Sequence, residues 1–134
     1  WEASQSRSFS KEELKSGFNV KKADVTAFLE EKLSLAGLNS KEKADFITYW
    51  GPRLAANELN FVRFEFNEQC NRYAELEITP KPKTIYRIYI TWMSIPQELE
   101  VAGQEIEQYS REGFTVLEWG GMKIPRGDLP ESVK

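Results

Sequence analysis

The stretch "IYRIYITW", Ile85–Trp92, sets the architecture of the chain. Tyr86, Ile88, Ile90 and Trp92 alternate with Arg87, Tyr89 and Thr91. A period of two places successive side chains on opposite faces, so the run predicts a strand with one apolar face. Two earlier runs share the period. "FVRFEF", 61–66, puts Val62, Phe64 and Phe66 on one side and Arg63 and Glu65 on the other. "YAELEI", 73–78, puts Ala74, Leu76 and Ile78 inward and Glu75 and Glu77 outward. The proline-punctuated "TPKPKT", 79–84, reads as a turn between the second and third of these strands. Three such strands predict an antiparallel meander with one wet face.

Working outward toward the N-terminus, the period changes to 3.6. In "ADVTAFLEEKLSLAG", Val25, Phe28, Leu29, Leu33 and Ala36 form a helical stripe. Asp24 is the expected N-cap and Gly37 the expected C-terminal stop. In "NSKEKADFITYW", Asn39 and Glu42 have capping-box spacing, and Phe46, Ile47, Trp50 and Leu54 make a second stripe. Pro52 is expected to end or kink that helix at Gly51. The short link predicts an antiparallel helix hairpin.

Four further segments complete the organisation. Residues 1–16 lack a period and read as a flexible arm, with a capped turn at Ser10-x-x-Glu13. "GFNVKK", 17–22, reads as a short strand with Phe18 and Val20 on one side. The polar run 94–112 reads as a long excursion, and "GFTVLEW", 113–119, as a strand apolar on both sides and inside the sheet. Residues 123–134 read as a Gly- and Pro-rich flexible tail. The fold class expected is α+β, one domain over 17–122, with a helix hairpin on a mostly antiparallel sheet of four or five strands.

Composition removes much chemistry. The 134 residues include 18 basic and 21 acidic side chains, a net charge of −3 that offers no field for nucleic acid or an anionic membrane. No apolar run approaches the roughly 20 residues that span a bilayer. The chain has no histidine, which removes Ser-His-Asp and Cys-His catalysis and most catalytic zinc sites. Its single cysteine, Cys70, forms no internal disulfide and reads as an inert thiol. The three aspartates, Asp24, Asp45 and Asp128, form no calcium loop, and "EWGGMKIPRGD" lacks phosphate-loop spacing. No cofactor and no metal site is expected.

Two sets of residues remain. Glu65, Glu75, Glu77 and Glu118 would serve a histidine-free hydrolase if two of them met, since glycoside hydrolysis needs only paired carboxylates. Alternating charge on a strand more simply describes a solvated face. Trp119, with Tyr73, Tyr89 and Arg87 of the wet face, is the candidate binding surface, for a partner protein or for carbohydrate. Trp50 and Trp92 fall on apolar faces and read as core. Two Trp-Gly pairs frame this reading. At Trp50-Gly51-Pro52 the ring plugs the core while the chain turns off its helix. At Trp119-Gly120-Gly121 the ring caps the sheet while the glycines release the backbone.

The runs "FLEEKLSLAGLNSKEKADFITYWGPRL", "LEITPKPKTIYRIYITW" and "REGFTVLEWGG" resemble an uncharacterised group of bacterial proteins. That group carries "FIxYWxPxL", "LxIxPxPxxxxRV" and "RxGFTVxEWGG" in the same order. The resemblance covers about residues 17–122. It departs at Gly51, where a larger residue is usual, and at Ile88, with Arg87 retained. It implies an exported, cell-envelope setting, against a cytoplasmic alternative, and brings no catalytic residue. The function expected is a non-enzymatic protein-interaction or structural module. A carbohydrate-binding module and a hydrolase are the alternatives.

Overall fold

Helices α1 (Val25–Ala36) and α2 (Ser40–Leu54) pack on a sheet whose order is β1 (Phe18–Lys21), β2 (Leu59–Phe66), β3 (Thr84–Ser94), β4 (Thr115–Lys123). The structure is a computed structural model and describes residues 8–73, 79–80, 84–109 and 113–125. β1–β2 and β2–β3 are antiparallel, and β3–β4 is parallel. The expected α+β class and helix hairpin hold.

The hairpin forms where its caps predict. The Asn39 side chain accepts from the Glu42 N–H at 2.9 Å, and the Glu42 carboxylate accepts from the Asn39 N–H at 2.8 Å. Gly37 sits at φ 93°, a conformation that favours glycine, and donates its N–H to the Leu33 and Ser34 carbonyls. Asp24 behaves differently from the expectation. Lys22–Asp24 already wind as a 3-10 turn, so Asp24 lies in the helical region and makes no side-chain cap. Pro52 does not end α2, which runs on to Leu54. A proline in the last turn removes one donor, and the Ala55 N–H still reaches the Gly51 carbonyl at 2.9 Å.

The helices cover one face of the sheet. Leu29, Leu33, Phe46, Trp50 and Leu54 meet Val62, Phe64, Ile88, Ile90 and Trp92 there. Trp50 is fully buried, with its ring centroid 5.6 Å from Trp92 and 6.2 Å from Trp119. Burying such a ring is worth about 3 kcal/mol or more, so Trp50 anchors the hairpin to the sheet.

The opposite face is not wet, and this corrects the sequence reading. Phe9 packs edge-on against Phe61 at 5.2 Å and joins a second core with Met93, Ile95, Leu99, Met122 and Ile124. A six-residue 3-10 turn, Asn67–Arg72, closes over the rest. Parts of the expected arm and tail are thus packed: Phe9 and Ile124 are both buried. Alternation of polar and apolar residues gives the two faces of a strand but not what lies over each face.

β4 also departs from expectation. It lies outermost among the described strands, not inside the sheet. Gly120 and Gly121 continue it to Lys123 and do not release the backbone. The strand expected over 73–78 falls mostly outside the described residues. Of the expected turn 79–84, residues 81–83 fall outside them too, and β3 begins at Thr84.

Candidate functional site

The strand register gathers charge under the second face. Glu65 of β2 lies opposite Tyr89 of β3, and Arg87 of β3 opposite Glu118 of β4. Alternation sends all four side chains to the same side. Glu65 is 2% exposed and Arg87 5% exposed. Charged groups survive such burial only when paired and hydrogen-bonded.

Arg87 is the hub. Its Nη2 donates to Tyr89 Oη at 3.1 Å and to Glu118 Oε1 at 3.3 Å, and its Nη1 donates to Asn71 Oδ1 at 2.5 Å. Tyr89 Oη in turn donates to Glu118 Oε1. Burial works against the Arg87 charge, but the Tyr89 hydroxyl and Glu118 more than offset it, so its pKa is raised. Burial also raises the Tyr89 phenol, and its bond to Glu118 raises it further.

The 3-10 turn supplies the cover. Asn67 adopts a positive φ of 51°, which asparagine tolerates, and its Oδ1 accepts the Arg87 backbone N–H at 2.9 Å. Arg72 Nη1 bridges Glu65 Oε1 at 3.4 Å and Glu13 Oε2 at 3.3 Å. Arg63 Nη1 donates to the Ser16 carbonyl, to Ser16 Oγ at 2.8 Å and to the Glu13 carbonyl at 3.0 Å. Two arginines therefore fasten the N-terminal segment to the sheet. A cavity of about 210 Å³ beside this cluster is lined by Asn67, Glu68, Asn71, Ile85 and Arg87.

Cys70 is buried within the cluster, its thiol donating to the Glu65 carbonyl at 3.5 Å. Burial pushes its pKa up to about 12, against a downward pull from Arg87. The thiolate is the nucleophile, so this cysteine is chemically quiet near neutral pH. Among the described residues, no group of three or more His, Cys, Asp or Glu side chains could hold a metal ion. No helix among them is long and apolar enough to cross a membrane.

The residues singled out from sequence divide. Arg87 and Tyr89 share the cluster, and the half-buried Tyr73 ring lies 5.6 Å from that of Tyr89. Tyr89 is buried, so it offers no wet stacking surface. Trp119 belongs to the other face. It pairs with Ile88 and packs against Phe46 at 5.6 Å and Tyr49 at 5.8 Å. Of the four glutamates considered, Glu65 and Glu118 join the cluster, each held by an arginine, while Glu75 and Glu77 lie outside the described residues. Asn67, Asn71 and Arg72 had no signal in the sequence, because a 3-10 turn has no hydrophobic period to reveal it.

Compared with protein-family models, with curated proteins and with solved structures, the chain matches none.

Proposed function

We propose that the chain is a non-enzymatic protein-interaction or structural module of an exported bacterial cell-envelope protein, and that the first half of β4 is the edge it offers to a partner. The observation that carries this is a stretch at the rim of the sheet in which Phe114, Val116, Leu117 and Trp119 are apolar. Phe114 is 50% exposed, and Thr115–Trp119 are half-buried in the outermost described strand. A strand at the rim of a sheet can pair with an added strand of a partner, and apolar side chains there suit one. The charge cluster supports a structural role in the same reading. Its acids are held by Arg72 and Arg87, and a quiet thiol takes the place of a nucleophile. The cell-envelope setting rests on the three-motif resemblance alone. Carbohydrate binding draws less support, because Trp119 does not share a face with Tyr73 and Tyr89.

Val116→Lys tests the edge. A lysine near the start of β4 opposes pairing with another chain, and Val116 belongs to neither core cluster. The expected result is loss of partner capture with an unchanged melting curve. Full capture by the variant would contradict the proposal. Saturable binding on a glycan array, lost in Trp119→Ala, would favour sugar recognition in its place. Fractionation of cells expressing the full-length gene product tests export: a cytoplasmic product would refute that part.

A further inference from the structure

Along one side of β2 the backbone groups of alternate residues point outward. At Asn60 and Val62 that side faces β1. β1 stops at Phe18, opposite Val62, because the chain before it leaves the sheet. The Gly17 N–H donates to the Ala102 carbonyl at 2.9 Å, and the Ala102 N–H donates to the Lys15 carbonyl at 3.0 Å. No strand lies beside Phe64 on that side among the described residues.

Gln104 fills the place. Its Oε1 accepts from the Phe64 N–H at 2.8 Å, and its Nε2 donates to the Phe64 carbonyl at 2.5 Å. A residue of an added antiparallel strand would make the same two bonds. The next outward N–H, that of Phe66, donates to Gln69 Oε1 at 3.0 Å. A second amide anchors the segment that carries Gln104. Asn19 Nδ2 donates to the Leu99 carbonyl at 2.8 Å, and Asn19 Oδ1 accepts the Leu99 N–H at 2.9 Å. Beyond Gln104, Tyr86 Oη donates to the Glu107 carbonyl at 2.7 Å, and Asn67 Nδ2 donates to Glu107 Oε2 at 2.9 Å.

We propose that residues 99–107 form a strap that seals the β1–β2 edge against strand addition, with the Gln104 amide in place of a strand residue. Unpaired edges recruit further chains, and proteins cover them for that reason. With the amide removed, a second copy of this chain pairs along Phe64. The strap acts in this way whether or not β4 takes a partner.

Gln104→Ala removes the amide, and Gln104→Met removes it while keeping side-chain length and packing. Amide hydrogen exchange read by NMR should accelerate at Phe64 by about tenfold in both variants, with Ile90 unchanged. Light scattering should show dimers forming as concentration rises, against a wild type whose oligomeric state does not change. Unchanged exchange at Phe64 in Gln104→Met would overturn the proposal. So would a rise shared equally by all core amides, or an oligomeric state unaltered in both variants.

Discussion

The indole of Trp50 rests on the bare Cα of Gly121. A Cβ at Gly121 would stand 2.8 Å from Trp50 Cη2 and 2.7 Å from the Ile90 carbonyl oxygen. The second of the two Trp-Gly pairs thus makes room for the tryptophan of the first. Gly121→Ala should cost about 1–3 kcal/mol, as overpacking does in a closed core. Gly51→Ala is the control. There a Cβ meets only Ile47 Cγ2, at 3.5 Å, within a helix. Alanine's better helix propensity should make that change neutral or stabilising by up to about 1 kcal/mol. Urea denaturation of both variants measures the contrast.

Trp50→Ala should destabilise by about 3–5 kcal/mol, because the ring is buried and its neighbours can collapse only partly into the space. Thermal and chemical unfolding read this directly. An unchanged melting curve would give the ring a role other than packing.

The Arg87–Glu118 pair should show strong non-additivity. Arg87→Met leaves Glu118 and the Tyr89 hydroxyl without their cation, at a cost of about 3 kcal/mol or more. Replacing both partners, Arg87→Met with Glu118→Leu, removes the stranded charge and should recover much of the loss. A double-mutant cycle in urea checks the sign of the coupling.

Stability should fall in alkali through Cys70. Its folded pKa, about 12, lies above the ordinary value of 9.0. Below that ordinary value both states keep the proton and the full contribution is present. Above it the unfolded chain releases the proton while the folded chain retains it. Stability then declines by up to about 1.4 kcal/mol per pH unit until the folded thiol ionises. The raised Tyr86 and Tyr89 phenols act in the same direction at higher pH. Cys70→Ala should flatten the decline between about pH 9 and 10, before the phenols dominate. A thiol reagent should label the unfolded chain there and spare the native one.

The legible parts of this fold are those whose cause is local. The capping box at Asn39 and Glu42, the left-handed stop at Gly37 and the stripe from Val25 to Ala36 each need only a few neighbours in sequence. The covered second face was not legible. Arg63 and Glu65 alternate with Val62 and Phe64 whether solvent or protein lies over them. The cover comes from the N-terminal segment with Phe9 and from the 3-10 turn Asn67–Arg72, neither of which has a hydrophobic period. The outer, parallel place of β4 was hidden for a similar reason. A parallel crossover is usually announced by a helix, and here residues 95–109 contain none. Gly120 and Gly121 looked like the end of a strand because glycine weakens strands. The need for Gly121 comes from Trp50, far earlier in the chain. Of the candidate site, Arg87 and Tyr89 were legible as neighbours on one face. Their burial was not.

The claim that β4 meets a partner is tested most directly by photo-crosslinking in cells. A photoreactive phenylalanine analogue at Val116 sits on the proposed edge, and one at the exposed Thr48 sits on the outer side of α2. The account predicts a discrete heavier adduct from position 116, absent from position 48 and lost when Phe114→Asp is added. No adduct at 116, or the same adducts from both positions, would contradict it.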